Sequence, residues 1–450
     1  MLNDIHSRLN PVRPREIRTP RTTEEVVAAV VDARYRRLPV AVCAGRHAMG
    51  GQQFVHKGLQ LDMNACDRFV DLDAARGLVT VQAGMQWPEL IAALRRRGSR
   101  LTFRQKQTGA DRLSVGGALS ANIHGRGLRL PPFVSDIEAF TLVDAYGGVR
   151  RCTRDSEPAL FSLAVGGYGL FGVVTEVTLR LVRRRKVRRR VEVTTLPAAE
   201  AAYDGLVAEG HEYGDFQFAT EPADAGFLSD GVLSTYLPVA DDVPVTASPV
   251  ALTAEDWHRL LVLAHTDRSA AFRRYASHYR ATDGQVYLAD EQQLGVYVDG
   301  YHDRLDGPPA SEMITEVYLP RAGLLPFMDA CRDDFRRHAV ELIYGTVRAI
   351  RADTETFLPW AQGDRACVIF NLHVRHDPSG IAKATEDFRR IIDRALALGG
   401  SFYLTYHRWA TREQLLAAHP RLPEFLAAKR LHDPQERFQS EWYRYLRSYV

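Results

Sequence analysis

Three glycine-rich segments, each set against a strand-like run, constrain this chain more than any other feature. The first, Cys43-Ala44-Gly45-Arg46-His47-Ala48-Met49-Gly50-Gly51-Gln52, follows the apolar stretch 39–43. The second runs over 108–127 and contains Ser114-Val115-Gly116-Gly117-Ala118 and Asn122-Ile123-His124-Gly125. The third is Gly166-Gly167-Tyr168-Gly169-Leu170-Phe171-Gly172-Val173-Val174-Thr175-Glu176. A strand that ends in such a loop can turn several backbone N–H groups toward one anion, because glycine tolerates positive φ and close approach. A polar side chain held inside the loop, here His47, faces whatever the loop cradles. Gly167, Gly169 and Gly172 have GxGxxG spacing, but they lead into the alternating run 172–181 rather than a helix. That context excludes a nicotinamide Rossmann fingerprint, and GxxxxGK[ST] is absent. The glycines must serve a nucleotide cradle made of loops between strands.

At 450 residues, 46% hydrophobic and 25% charged, the chain reads as globular with two domains. No run approaches the ~18 apolar residues of a membrane helix. Residues 1–8 lack an apolar signal core, so a cytoplasmic location is expected. The five cysteines (43, 66, 152, 331 and 367) form no CxxC pair and are odd in number. Free thiols are expected, with neither a disulfide framework nor a metal site. Net charge is +3, yet 183–190 alone supplies seven cations. That run reads either as a nucleic-acid or acidic-lipid patch or as a solvated strand crossing a domain boundary. No aromatic residue interleaves it, as a single-strand binder would require. The solvated strand is the expectation, with no nucleic-acid partner.

The pattern predicts an α+β fold. A helix at 23–34 has an N-terminal cap and an acidic first turn, and strands follow near 39–43, 58–63, 69–73 and 78–84. A helix over 87–97 lies between Pro88 and Gly98. A hairpin over 137–152 turns at Gly147-Gly148, a capped helix starts at Ser156-Glu157-Pro158, and 172–181 alternates as a half-buried strand. The basic run marks the exit from a first domain, 1–185. A second domain, 186–410, has strands at 312–319, 367–374 and 401–406, helices at 324–338 and 379–398, and a proline-bearing loop at 237–249.

The ordered motifs Ala-Gly-Arg-His-x-Met-Gly-Gly, Ser-Val-Gly-Gly-Ala-x-x-x-Asn-x-His-Gly and Gly-Gly-x-Gly-Leu-Phe-Gly-Val-Val-Thr-Glu resemble the FAD domain of the vanillyl-alcohol oxidase / p-cresol methylhydroxylase family. In style the chain is near alditol oxidase, decaprenylphosphoryl-ribose oxidase and sterol side-chain reductase. The resemblance covers 15–182 and resumes in 403–408, 429–434 and 438–443, so 411–450 is expected to return to the first domain. It implies a two-domain flavoprotein of this type, whose substrate domain is a mainly antiparallel sheet covered by helices.

The resemblance also assigns the loops. Ala44, Gly45, Arg46, His47, Ala48 and Met49 would hold the FAD pyrophosphate. Gly109, Ser114, Val115, Gly116 and Gly117, then Ala121, Asn122, Ile123 and His124, would lie along the ribityl chain and isoalloxazine. Val174 would meet the adenine through its backbone. His47 matches a histidine that several relatives bond covalently to the flavin, and others manage without the bond. Doubly linked relatives add a cysteine where this chain has Ala110, so a single link through His47 is expected.

On the substrate side, dehydrogenating an alcohol needs a C–H held at the flavin, a group for the hydroxyl proton, and fixed polar groups that orient the substrate. His124 lies in the second loop, as a proton-handling group or as a structural histidine. In Tyr403-Leu404-Thr405-Tyr406-His407-Arg408, read as a strand end, alternation sends Tyr406 and His407 to opposite faces. Tyr406 is the candidate, with Tyr403 also on the flavin side. Tyr406 matches an active-site lysine of the ribose oxidase relative, a departure that puts any lysine-dependent contact in doubt. Arg348 matches the arginine of a Glu-x-Arg pair that alditol oxidases give to the polyol, but Thr346 stands for the glutamate; Arg348 could instead pair with Asp353. Glu316, and Asn371 with His373, recur at period two on otherwise apolar strands, marking a polar cavity or a solvent face.

The implied activity is FAD-dependent hydride removal from a hydroxyl-bearing carbon of a polyol, sugar or related alcohol, with O2 or another acceptor reoxidising the flavin. Tyr406 or His124 would handle the proton, and Arg348 and Glu316 would orient the substrate. A C=C reductase or dehydrogenase with poor oxygen use is the alternative, because Ile123 is bulkier than the small residue some oxidases have there. A nucleic-acid or surface-binding protein acting through 183–190 is a third reading.

Overall fold

A computed structural model describes residues 1–295 and 307–449. Three sheets position the site. A parallel sheet has Leu59–Asp62 between Glu16–Arg18 and Val40–Cys43. Helix Thr23–Tyr35 covers it, burying Val26, Ala29, Val30 and Ala33 at helical spacing against Leu38, Val40, Leu59 and Leu61. Thr22 accepts from the Glu25 N–H, with Glu24 and Glu25 in the first turn. A five-stranded antiparallel sheet runs in the order Phe69–Asp73, Leu78–Gln82, Val173–Arg180, Ile137–Val143, Val149–Cys152. The helix after it, Pro158–Ala164, is not capped by Ser156. Glu157 takes the cap position at φ 58° without a side-chain bond, and Pro158 supplies the first-turn geometry.

The third sheet has eight antiparallel strands in the order Val286–Leu288, Lys186–Thr195, Asp230–Val239, Tyr213–Phe218, Leu342–Ile350, Arg365–Arg375, Ala310–Leu319, Ser401–Phe402. Helices Leu324–Arg337 and Pro378–Ala397 cover one face, packing Phe327, Phe335, Phe388 and Ile391 on Val368, Phe370 and Leu372. Strand alternation sends the neighbours of those core residues to the other face. Register there aligns Arg348, Cys367 and Tyr318, then Thr346, Ile369 and Glu316, then Tyr344, Asn371 and Ile314, then His373 and Glu312. Two helices that the sequence pattern did not predict, Ala254–Thr266 and Arg268–Ala281, stand over this face.

The chain's fold is thus the two-domain α+β type that the motifs implied. Its basic run lies mostly in strand pairs, and six of its seven cations have hydrogen-bond acceptors. Arg183 pairs with Asp241, Arg184 with Asp290 at 2.7 Å, Arg185 with Glu212 and Arg190 with Glu209. The predicted strand 401–406 stops at Phe402, and the chain then turns. The last segment returns to the parallel sheet: Val40 N–H donates to Arg437 O at 2.7 Å and Gln439 N–H to Val40 O at 3.0 Å. Among the described residues no helix is long and apolar enough to cross a membrane.

Candidate active site

The glycine-rich loops converge on one cavity of about 1210 Å³, its open mouth included. Ala44, Gly45, Arg46, His47, Ala48 and Met49 line it from the first loop. Gly109, Ser114, Gly116, Gly117, Ala121 and Ile123 line it from the second, and Gly169, Gly172 and Val174 from the third. At Gly45 and Gly116 main chain forms the wall because a side chain has no room. A Cβ on Gly45 would sit 2.4 Å from Arg112 O, and one on Gly116 would sit 2.7 Å from the Ala83 Cβ. Arg46 turns the first loop at φ 57° and Gly109 the second at φ 75°. His47 Nε2, Gln52 Oε1, Gln107 Oε1 and Thr108 Oγ1 are buried without hydrogen-bond partners, and all four residues line the cavity. Buried polar atoms are rarely left so. A partly polar cleft lined by three glycine-rich loops, with unpaired buried donors and acceptors, fits a dinucleotide such as FAD.

Val115, Asn122 and His124 lie behind that wall. Val115 is core, its N–H donating to Met85 O at 2.8 Å. Asn122 holds the left-handed helix end at φ 47°, a conformation asparagine tolerates. Its Nδ2 donates to Asp353 Oδ2 at 2.9 Å, and its Oδ1 accepts from the Val134 N–H. Asp353 is therefore tied to Asn122 and Thr356 rather than to Arg348.

The C-terminal turn closes the cavity. Met49 N–H and Gly50 N–H donate to Thr405 O at 3.1 and 3.0 Å, and Gln52 Nε2 donates to Leu404 O at 2.5 Å. Strand period two cannot bring Tyr403 and Tyr406 to one side, since they are three apart, but a turn can. Both rings line the cavity, 5.4 Å between centroids. His407 points away into the core among Phe388, Phe402 and Trp409. Burial drops its pKa to about 3, so it is neutral.

Where the cavity meets the eight-stranded sheet, Glu316 is enclosed and 1% exposed. His124 Nε2 lies 2.5 Å from Oε1, Tyr318 OH donates to Oε1 at 2.5 Å, and Cys367 Sγ donates to Oε1 at 3.3 Å. Tyr406 OH donates to Oε2 at 3.2 Å. Burial alone would raise the Glu316 pKa. The His124 charge and hydrogen bond outweigh it, with help from Tyr318 and Arg348, and hold the carboxyl at about 2. His124 Nδ1 faces Gly125 O at 3.0 Å, which can only accept, so Nδ1 carries hydrogen. Burial pushes the Tyr406 phenol well above its ordinary value.

A second cavity of about 2120 Å³ opens beyond, and it shares Gln107, Thr108, Gly109, Ile314 and Tyr406 with the first. Arg126, Asp215, Tyr344, Arg348 and Asn371 line it, and Leu260, Tyr275 and Tyr279 of the helix pair form its outer wall. Arg348 is 8% exposed, and its Nε and Nη1 have no hydrogen-bond partner. Glu316, His124, Cys367 and Tyr318 line neither cavity, so Tyr406 stands between Glu316 and the open space. Arg126, Asp215, Tyr344 and the helix pair are not among the residues the sequence pattern predicts for the site. Period two over 342–350 is the signal for Tyr344, and membership of the second glycine-rich segment the signal for Arg126; Asp215 carries none.

Comparison with known proteins agrees with this geometry. Residues 14–153 match the family described as FAD binding domain. Over 210 residues the chain is 28% identical to the mitochondrial L-galactono-1,4-lactone dehydrogenase of Brassica oleracea, covering 46% of this chain and 34% of that protein. The chain therefore spans about a third of the length of that relative. A putative D-arabinono-1,4-lactone oxidase of Neurospora crassa is 28% identical over 163 residues, 36% of this chain and 29% of its own. An alditol oxidase of a Streptomyces species is 24% identical over 447 residues, 96% of this chain and 95% of its own.

Proposed function

We propose that this chain, whose residues 14–153 are an FAD binding domain of the vanillyl-alcohol oxidase / p-cresol methylhydroxylase family, dehydrogenates a polyol, sugar or related alcohol. One observation carries the reading. Tyr406 lines both cavities and is backed by the buried Glu316–His124 pair, while Arg348 presents unpaired donors from the same wall. Bound in the first cavity, FAD supplies the hydride acceptor.

Arg348 orients the substrate by donating to its hydroxyl oxygens, which satisfies donors that the protein leaves open. Tyr406 takes the hydroxyl proton at Oη while its own proton passes toward Glu316 Oε2, 3.2 Å away. Glu316 and His124 act through Tyr406 and fix its phenol. The hydroxyl- and amide-rich second cavity, with Tyr275, Tyr279, Tyr344, Gln217 and Asn371 on its walls, suits a polyhydroxy compound. The names of the alditol oxidase and the lactone oxidase point to the same substrate class.

His47 tethers the cofactor in this reading. Burial first, then the neighbouring His6, lowers its pKa to about 3, leaving a neutral imidazole on the cavity wall. His6 Nε2 lies 2.9 Å from its Nδ1. Ala110 lines the same cavity and offers no second link.

The test is a visible spectrum of the purified protein, then anaerobic mixing with alditols, aldoses and aldonolactones. Bleaching of the flavin band by one class supports the proposal. A flavin that no alcohol bleaches overturns it. Acid precipitation reports the tether: a yellow pellet that turns white in His47→Ala is expected.

A further inference from the structure

The face of the eight-stranded sheet that carries the reaction centre bears a second group of side chains that the proposed reaction does not use. Glu312 and His373 sit opposite one another in strand register. His265, in the last turn of helix Ala254–Thr266, reaches onto them, with its Nε2 2.6 Å from Glu312 Oε1. The rings of His265 and His373 meet edge to face at 4.9 Å between centroids. One ligand-type atom from each of the three residues lies within 4.8 Å of the others. His373 Nδ1 is buried and has no hydrogen-bond partner. Asn371 Nδ2 donates to Glu312 Oε2 at 3.2 Å and so fixes the carboxylate with Oε1 toward the histidines.

We propose that His265, Glu312 and His373 bind a divalent transition-metal ion of the zinc class, and that the ion clamps the helix pair 254–281 to the sheet. Two imidazoles and one carboxylate suit zinc, cobalt or nickel, whereas magnesium and calcium take oxygen sets. Metal–ligand bonds of about 2.0–2.1 Å put the donors of a tetrahedral site roughly 3.3 Å apart. Metal binding therefore opens the 2.6 Å contact slightly and draws the His373 nitrogen inward. A water completes the coordination.

The role is mechanical rather than catalytic. Glu312 precedes Glu316 by four residues on one strand, about 13 Å, so the ion stands clear of the reacting carbon. Among the described residues the two helices fully bury only Leu260, Tyr275 and Ala276, with Trp257, Phe272 and Tyr279 half-buried in the same cluster, yet they form the outer wall of the second cavity. A metal link from the end of the first helix to two central strands adds a fixed point to that packing. A second cluster, His124, Glu316 and Cys367, also brings ligand-type atoms together. There Glu316 already accepts from four donors, and burial keeps the Cys367 thiol protonated, so a thiolate ligand is not available.

The test uses the untagged, flavin-loaded full chain, stripped with a chelator and titrated with Zn2+ by calorimetry. One equivalent binding at sub-micromolar Kd is expected. Co2+ in its place should give a ligand-field band to the red of the flavin absorption. His373→Ala and Glu312→Gln should each raise the Zn2+ Kd at least about 100-fold, and Asn371→Ala about 10-fold. Flavin content reports folding in every case; if His373→Ala loses its flavin, His265→Ala is read in its place. Zinc should also slow proteolytic cleavage within 254–281. Failure of the folded wild-type protein to bind Zn2+, or an affinity unchanged in the ligand variants, overturns the proposal.

Discussion

The two adjoining cavities are built from different material. The first is built on three glycine-rich loops and closed by Tyr403 and Tyr406, with glycine at the points where a Cβ would strike Arg112 O or Ala83. The second is walled by side chains from both helices of the pair, the second loop and six strands of the eight-stranded sheet. A main-chain wall must be written locally, because each turn needs its own residue type. A side-chain wall depends on which strands end up adjacent, and local sequence does not encode that. The difference also predicts how each responds to damage: the first should lose cofactor and stability together, the second activity alone.

The largest effect should come from Tyr406→Phe, which removes the hydroxyl between the cavities. A fall in kcat of about 10²–10⁴ is expected with flavin content intact, and steady-state kinetics checks it. Glu316→Gln tests whether the centre behind Tyr406 belongs with the walls or with the core. Removing one partner of a buried ion pair costs about 3–5 kcal/mol, so urea unfolding should shift strongly. An unchanged midpoint would break the assignment of Glu316 as an anchored carboxylate. Arg348→Met should separate the two properties most cleanly. Each charged hydrogen bond lost to substrate is worth about 1.5–3 kcal/mol in kcat/KM. The melting temperature should hold or rise, because the guanidinium has unpaired donors in the protein.

Gly45→Ala is the counterpart on the first wall. Overpacking against Arg112 O costs about 1–3 kcal/mol, and flavin occupancy should fall with stability. His407 gives the smallest effect at neutral pH and belongs to neither wall. Its folded value of about 3 lies below the ordinary 6.5, so the unfolded chain takes up a proton that the folded protein refuses. Stability from this group is complete above pH 6.5 and declines by about 1.4 kcal/mol per pH unit as pH falls toward 3. His407→Gln should flatten that slope in melts from pH 7 to 4.

Legibility followed the same division. The loops around His47, Gly116 and Gly169 could be read as one cradle because their glycines recur next to strand patterns. Glu316 and His373 could be seen at period two, but their separate uses depend on what lies across the sheet. That Glu316 meets His124 needs a pairing between residues 192 positions apart. Tyr406 was reached for an incorrect local reason: a strand was expected where a turn stands. The turn arises because Thr405 and Leu404 give their carbonyls to the first loop rather than to a neighbouring strand. The helix pair went unseen although the capping box of Thr253 and Asp256 marks its start; its second helix, Arg268–Ala281, carries five charged or histidine residues and little apolar periodicity.

That turn also sets an order of events. Gln52 lies 352 positions before the carbonyl that holds it, and Met49 and Gly50 depend on the next residue, Thr405. During synthesis the first loop leaves the ribosome with its glycines in place and its latch still untranslated. The cradle becomes a closed container only after residues 404 and 405 have been made. A chain halted before residue 401 would carry the recognisable loops without the means to shut them.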